Sequence, residues 1–299
     1  GSIENIFIGE LAGGTGTQLT ASDRNVGIGM RSLEDLTGGN NNTALGTRSG
    51  VALTTGSGNT VLGSYALYAS TDVDNTVVIG KDACGAVLTG AGGADGTVAI
   101  GASALAALTS GAGNTAIGYQ SLMTSATEAK TVAIGYQSMA ISGAGSNNVI
   151  IGYQAGYDFY TGAANNVAVG YQSMSGTHAT ALSQYNTAVG ASSLAGALNG
   201  ALENTVVGYK SGEDLTTGGE NTLIGSYAGS NLTTVSNNTV VGRNALYTTT
   251  AAVGCVAIGH QAMASGTATQ AGTVAIGKDA LIALTSGAGN IAVGYQAMD

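Results

Sequence analysis

Glycine takes 50 of the 299 positions, proline and tryptophan none, and charged residues make up only 8%, against roughly 25% in an ordinary globular domain. The net charge of −9, from 17 acidic against 8 basic residues, leaves no basic surface broad enough to neutralise phosphates and argues against nucleic acid as a partner. The 44% hydrophobic content lies in short β-branched clusters, with no apolar run near the ~18 residues of a membrane span, which argues against disorder and membrane insertion alike.

The first ten residues, "GSIENIFIGE", lack a basic region followed by an apolar core, so no secretory signal is read here, and Gly1-Ser2 has the look of an expression scar. From Asn5 onward one sentence repeats: "NTVLG" from Asn59, "NTAIGYQSL" from Asn114, "NVAVGYQSM" from Asn166, "NTVVGRNAL" from Asn238. Aligned on the glycine that closes each core, seventeen anchors run from Gly9 and Gly29 through Gly118 and Gly135 to Gly294, most of them 17 or 18 residues apart. The residue at −1 is always Ile, Leu or Val, and we expect it to be buried. The residue at −3 is always Val, Ile or Thr, so each unit holds a short strand of period 2. Position +3 is always Ala or Ser, where only a small side chain is expected to fit.

Units of this length are too short for paired helices, and their β-branched cores bounded by turns such as "TSGAGN" predict one β-solenoid coil per unit. The expected fold is therefore all-β: a parallel β-solenoid of about seventeen coils forming a single domain over residues 1–299. With parallel strands spaced about 4.8 Å apart, the stack should be a rod of roughly 80 Å. The last residues, "NIAVGYQAMD", stop inside the pattern, so the chain is expected to be a fragment of a longer fibre protein. Twelve units carry Asn at −4, including Asn25, Asn42, Asn59, Asn186, Asn221 and Asn290. Stacked amides of this kind form ladders, so an internal turn brace is the preferred reading over a sugar- or ion-binding surface. Position −2 is also apolar (Ala99, Val206, Leu223, Val240), which leaves the strand apolar on both faces. One face can fill the coil; the other needs cover, and a second copy of the chain is the simplest source of it.

The residues "NTAIGYQSL", "NTVLGSYAL", "NTVVGRNAL" and "GTVAIGKDAL" resemble the head repeats of trimeric autotransporter adhesins, and more closely the "NTAIGYQ" arrays of bacteriophage tail fibres. The likeness covers Asn5 to Asp299. It implies a left-handed β-roll, a homotrimer about the fibre axis, adjoining fibre or virion domains, and a host-surface glycan or protein as receptor. It also implies a place in the virion or, for the adhesin alternative, on the bacterial cell surface. Units a few residues longer than those of the adhesin head, and the lack of a neck, stalk or anchor, favour the phage fibre.

Chemistry-bearing residues are few, and no catalytic, metal or cofactor site is expected. Cys84 and Cys255 lie far apart and read as small buried hydrophobes. Glu34-Asp35 and Glu213-Asp214 stand at equivalent places beside turns and read as solvated faces, not as the paired carboxylates of a glycan-cleaving enzyme. "GGADG" at 92–96 is a single faint likeness to a calcium-binding repeat. His178 and His260 have no evident nucleophile or metal partner. Tyr119, Tyr136, Tyr153 and Tyr171 each follow an anchor glycine in consecutive units and should form a stripe. That stripe is a candidate surface contact, stacking on sugars or packing along an intersubunit seam. Three intervals stretched to 20 or 21 residues carry "GGTGTQLTASDR", "GAVLTGAGGADG" and "SGTHATALSQY", which should project outward.

Overall fold

The computed structural model describes residues 4–14, 22–86, 93–143, 145–159, 162–177, 181–266 and 271–298. They form strands, turns and bends, with no helix among them and none that is long and apolar enough to cross a membrane. Two compact units share one coil design, Gly1–Asn147 and Asn148–Asp299. In a solenoid each coil packs chiefly on its neighbours, so a division near the midpoint involves no change of fold.

The first unit contains β1 (Ile6–Ile8), β2 (Val26–Ile28), β3 (Thr43–Leu45), β4 (Thr60–Leu62), β5 (Val77–Ile79), β6 (Val98–Ile100), β7 (Thr115–Ile117) and β8 (Val132–Ile134), with the two-residue β9 at Ile141–Ser142. The second contains β10 (Val149–Ile151), the short β11 (Asp158–Phe159), β12 (Val167–Val169), β13 (Thr187–Val189), β14 (Thr205–Val207), β15 (Thr222–Ile224), β16 (Thr239–Val241), β17 (Val256–Ile258), β18 (Val274–Ile276) and β19 (Ile291–Val293). Within each unit every three-residue strand pairs in parallel with the next, and each position meets its own counterpart. Thr205 pairs with Thr222, which pairs with Thr239, and Ala99 pairs with Ala116, which pairs with Ala133. The parallel solenoid expected from the spacing is the fold observed.

The faces of the strand are the reverse of one expectation. Position −2 points into the coil: Val61, Ala116, Val206 and Leu223 are fully buried. Position −1, expected inside, lies on the outside of the chain, with Ile8 59%, Leu45 49% and Ile224 39% exposed. The interior is already taken by the corner residues Leu33, Leu67, Leu105, Leu122 and Leu194, all fully buried at +4. What remains beside them suits the Ala or Val that holds most −2 positions, while the larger Phe7, Ile150 and Leu223 sit against Gly13, Gly156 and Gly229, where the +4 residue is glycine.

The corner after each anchor is built by alternation. At +2 and +4 residues such as Arg31, Gln120, Leu33 and Leu122 take φ between 52° and 58°, a left-handed conformation costing roughly 1–2 kcal/mol per residue. The gain is directional. The Gln120 N–H donates to Ala102 O of the preceding coil and the Leu122 N–H to Ser138 O of the following one, both at 3.0 Å. Successive amides thus point up and down the stack, and the backbone groups of a corner that has no helix or strand of its own are satisfied. Position +3 sits between them, with Ser32 and Ser49 buried and their hydroxyls 3.0 Å apart, so the small-residue requirement holds.

The Asn column is an internal brace. In the second unit the side-chain oxygen of Asn221 accepts from the Asn238 backbone N–H (3.1 Å) and from Asn238 Nδ2 (3.0 Å), while Asn221 Nδ2 donates to Asn204 Oδ1 (3.0 Å) and Val235 O (2.9 Å). Asn5, Asn25, Asn42 and Asn59 repeat the pattern in the first unit. Thr76 ends that run by donating its hydroxyl to Asn59 Oδ1 at 2.7 Å. The run is not continued at Thr97, the next in the column, whose buried hydroxyl has no hydrogen-bond partner. A second ladder runs at −6, where Asp23, Asn40, Ser57, Asp74 and Asp95 each lend a side-chain oxygen to the backbone N–H of the preceding coil.

Replacing Asn221 by Ala strands several buried groups at about 1–3 kcal/mol each. The urea midpoint of N221A should fall clearly, and N221T, which keeps one donor, should fall less. Equal midpoints for Ala and the native residue would show the ladder to be energetically idle.

Candidate functional site

The outer surface of the coil follows from the corner geometry. The residue at +1 leaves the anchor glycine facing outward, so equivalent residues form a column one coil apart. Tyr119, Tyr136, Tyr153 and Tyr171 stand there, 43–53% exposed. In the first unit the rings of Tyr119 and Tyr136 stack at 5.4 Å with planes 20° apart; in the second, Tyr153 and Tyr171 stack at 5.3 Å and 7°. Each stacked pair contributes about 0.5–1.5 kcal/mol beyond its burial. The neighbouring column at +2 carries an amide ladder, with Gln137 Nε2 donating to Gln120 Oε1 at 2.8 Å and Gln172 Nε2 to Gln154 Oε1 at 3.1 Å. The expected tyrosine stripe therefore exists as a stacked pair in each unit, bordered by glutamine.

Further along the second unit Tyr209, Tyr227 and Tyr247 meet edge to face, with centroids 5.3 and 5.7 Å apart. Lys210 Nζ lies 2.9 Å from Glu213, whose hydrogen bond and charge raise the lysine pKa. The hydrogen bond with Tyr209, and then its own burial, raise the pKa of Tyr227.

The first acid of each acidic pair is engaged within its own coil. Glu34 is tied to Arg31 at 3.5 Å and Glu213 to Lys210, each acid at +5 engaging a base at +2 of its own coil. Partial burial, then the neighbouring Glu213, raises the Asp214 pKa. In "GGADG", Gly92 lies outside the described residues, and Asp95 accepts the Asp74 N–H at 2.9 Å as part of the −6 ladder. No group of three metal-ligating side chains occurs among the described residues. Cys84 takes a +4 core slot, where burial pushes its thiol up to about 12, and Cys255 takes an Asn slot at −4, where burial also raises it. Neither forms a disulfide, and both are buried, as small buried hydrophobes should be.

His178 lies outside the described residues, as do residues 15–21, 87–92 and 178–180 of the three long intervals. Of the third interval, Leu182 and Tyr185 are exposed. His260 occupies the +1 column, between Arg243 one coil before and Lys278 one coil after.

Two buried acids, Glu128 and Asp279, escaped the sequence reading. Glu128 fills the −7 slot, where other coils carry Gly39, Gly56, Ala201 or Val235, and it is fully buried. Its carboxylate accepts from the Ser125 hydroxyl, from the Thr127 N–H at 3.1 Å and from the Ser142 hydroxyl of β9 at 2.6 Å. The available signal was the replacement of a small or apolar residue by Glu at one register position, with Ser three residues before it. No family model matches the chain, and no curated protein matches it.

Proposed function

We propose that this chain is a structural segment of a trimeric bacteriophage tail fibre, a stiff shaft that supports attachment to the host receptor. The observation that carries this reading is the outer face of the strands. Positions −1 and −3 present Ile, Leu, Val and Thr along each unit, and Ile6, Ile8, Leu45, Val189, Ile224 and Ile276 stand exposed on the single chain. Such a continuous apolar surface marks an interface, and three copies closing on a common axis would cover it.

The resemblance of the "NTAIGYQ" units to phage fibre arrays supports the virion over the cell surface. The adhesin head is the second reading, favoured by the same strand motif. The role proposed is mechanical, because the polar side chains are spent largely on coil-to-coil ladders and local ion pairs. Antibodies raised against the purified chain should decorate the tail fibres of virions in electron micrographs. Labelling of bacterial envelopes without virions would select the adhesin, and labelling of neither would overturn both.

A further inference from the structure

The charge of the second unit is unevenly distributed. From Asn221 to Gly277 there is no acidic residue, although the whole chain carries −9. Every basic side chain from 221 to 298, Arg243 and Lys278, stands in the +1 column, and so does the histidine, His260. The anchors Gly242, Gly259 and Gly277 place these three side chains on consecutive coils, followed by Tyr295 on the next. Arg243 and Lys278 are exposed, and His260 is partly so.

The contacts within the column organise it. Arg243 Nη1 lies 3.5 Å from His260 Nε2. A guanidinium only donates, so Nε2 accepts and the ring proton stands on Nδ1. That atom faces Asp279 Oδ1 at 3.9 Å, and neither of the two has a hydrogen-bond partner although both are buried. The other oxygen of Asp279 holds Lys278 Nζ at 3.3 Å, and Lys278 Nζ lies 5.3 Å from the centroid of the Tyr295 ring. Asp279 is 8% exposed, so it supports the column from beneath and is poorly placed to repel a ligand above it.

We propose that Arg243, His260, Lys278 and Tyr295 form a binding column for an acidic polysaccharide, with its carboxylates on the cations and a sugar ring against the tyrosine. The spacing separates this ligand from nucleic acid. Arg243 and Lys278 stand two coils apart, about 9.6 Å at a coil spacing of about 4.8 Å, whereas duplex DNA carries a charge about every 1.7 Å of its axis, and the strongly negative remainder of the chain repels so dense a polyanion. An acidic glycan carries its charges more sparsely and offers flat faces for Tyr295. This deepens the attachment role by naming a ligand chemistry, and it rests on that reading only for the source of the glycan.

The test uses the intact purified chain, with octagalacturonate and the corresponding neutral octagalactoside as probes in calorimetric titrations, and with light scattering on the same samples. The acidic oligomer should bind and the neutral one should not. R243Q/K278Q should weaken binding by roughly twofold to thirtyfold, the effect of losing two exposed ion pairs. R24Q/K81Q removes the same formal charge at the ion pairs Arg24–Asp23 and Lys81–Asp82 and should bind as the native chain does. Equal losses in both double variants, or no binding of octagalacturonate by the native chain, would overturn the column. A changed oligomeric mass with binding intact would instead count against the trimeric fibre.

Discussion

In solution at micromolar concentration the chain is expected to scatter light as three copies, and charges placed on the outer strand face should abolish that mass. Leu45→Glu and Ile224→Glu put one carboxylate in each unit on residues that are 49% and 39% exposed in the single chain. A lone coil tolerates a charge there, because the side chain reaches water. In a threefold assembly three carboxylates meet at one level against apolar neighbours, and each such burial costs several kcal/mol unless it is paired. The double variant should therefore lose the assembly while retaining the strand signal of its coils. A native chain that is a folded monomer, or a variant that keeps the native mass, would sink the interface. A native mass of two copies would keep a covered face and overturn the threefold axis.

The second large effect belongs to the anchor column. Gly118 has φ +136°, and a Cβ built on it would lie 2.3 Å from Gly135 O and 2.6 Å from Gly135 C, both backbone atoms of the next coil. Val at 118 must therefore strain its own backbone, at roughly 1–3 kcal/mol, and also push apart two coils joined by the parallel ladder. The melting temperature of G118V should drop by many degrees, or the chain should fail to assemble.

A control isolates the steric part. Gly254 has φ +66°, and a Cβ added there would meet nothing within 4 Å; its register slot holds Asn237 at φ 65° in the preceding coil. G254N should melt close to the native chain, because Asn enters the left-handed region readily. If G118V and G254N melt alike, close stacking of the anchors is not what the glycines provide.

Much of this architecture was legible because the solenoid states each requirement once per coil. The anchor glycines, the small residue at +3 and the Asn at −4 could be read as structural demands since each recurs against the same neighbours. The features that were missed are those that repetition does not express. Leu and Met at +4 give no hint that they adopt left-handed φ, because that conformation is imposed by hydrogen bonds to two other coils and not by the residue's own preference. Glu128 is a single departure from its column, and its partner Ser142, 14 residues away, becomes visible only when the coil closes. The −6 ladder changes among Asp, Asn and Ser, so its shared role as an acceptor shows only in the geometry. The contacts of Arg243 with His260 and of Lys278 with Tyr295 each join neighbouring coils, so they too show only in the geometry.

The amino-acid sequence by itself determined the coil: its length, its strand, its glycine corner and the in-register stacking of like on like. Each follows from local sterics and from repetition that leaves one consistent alignment. Which side of the strand lies inside was decided only by tertiary structure. Period-2 alternation separates two faces but cannot rank them when both are apolar. The ranking comes from the space left beside the +4 residue: next to leucine it admits the Ala or Val of most −2 positions, next to glycine it admits Ile150 or Leu223, and the Ile, Leu and Val of −1 turn outward, onto the surface where the assembly is proposed to form.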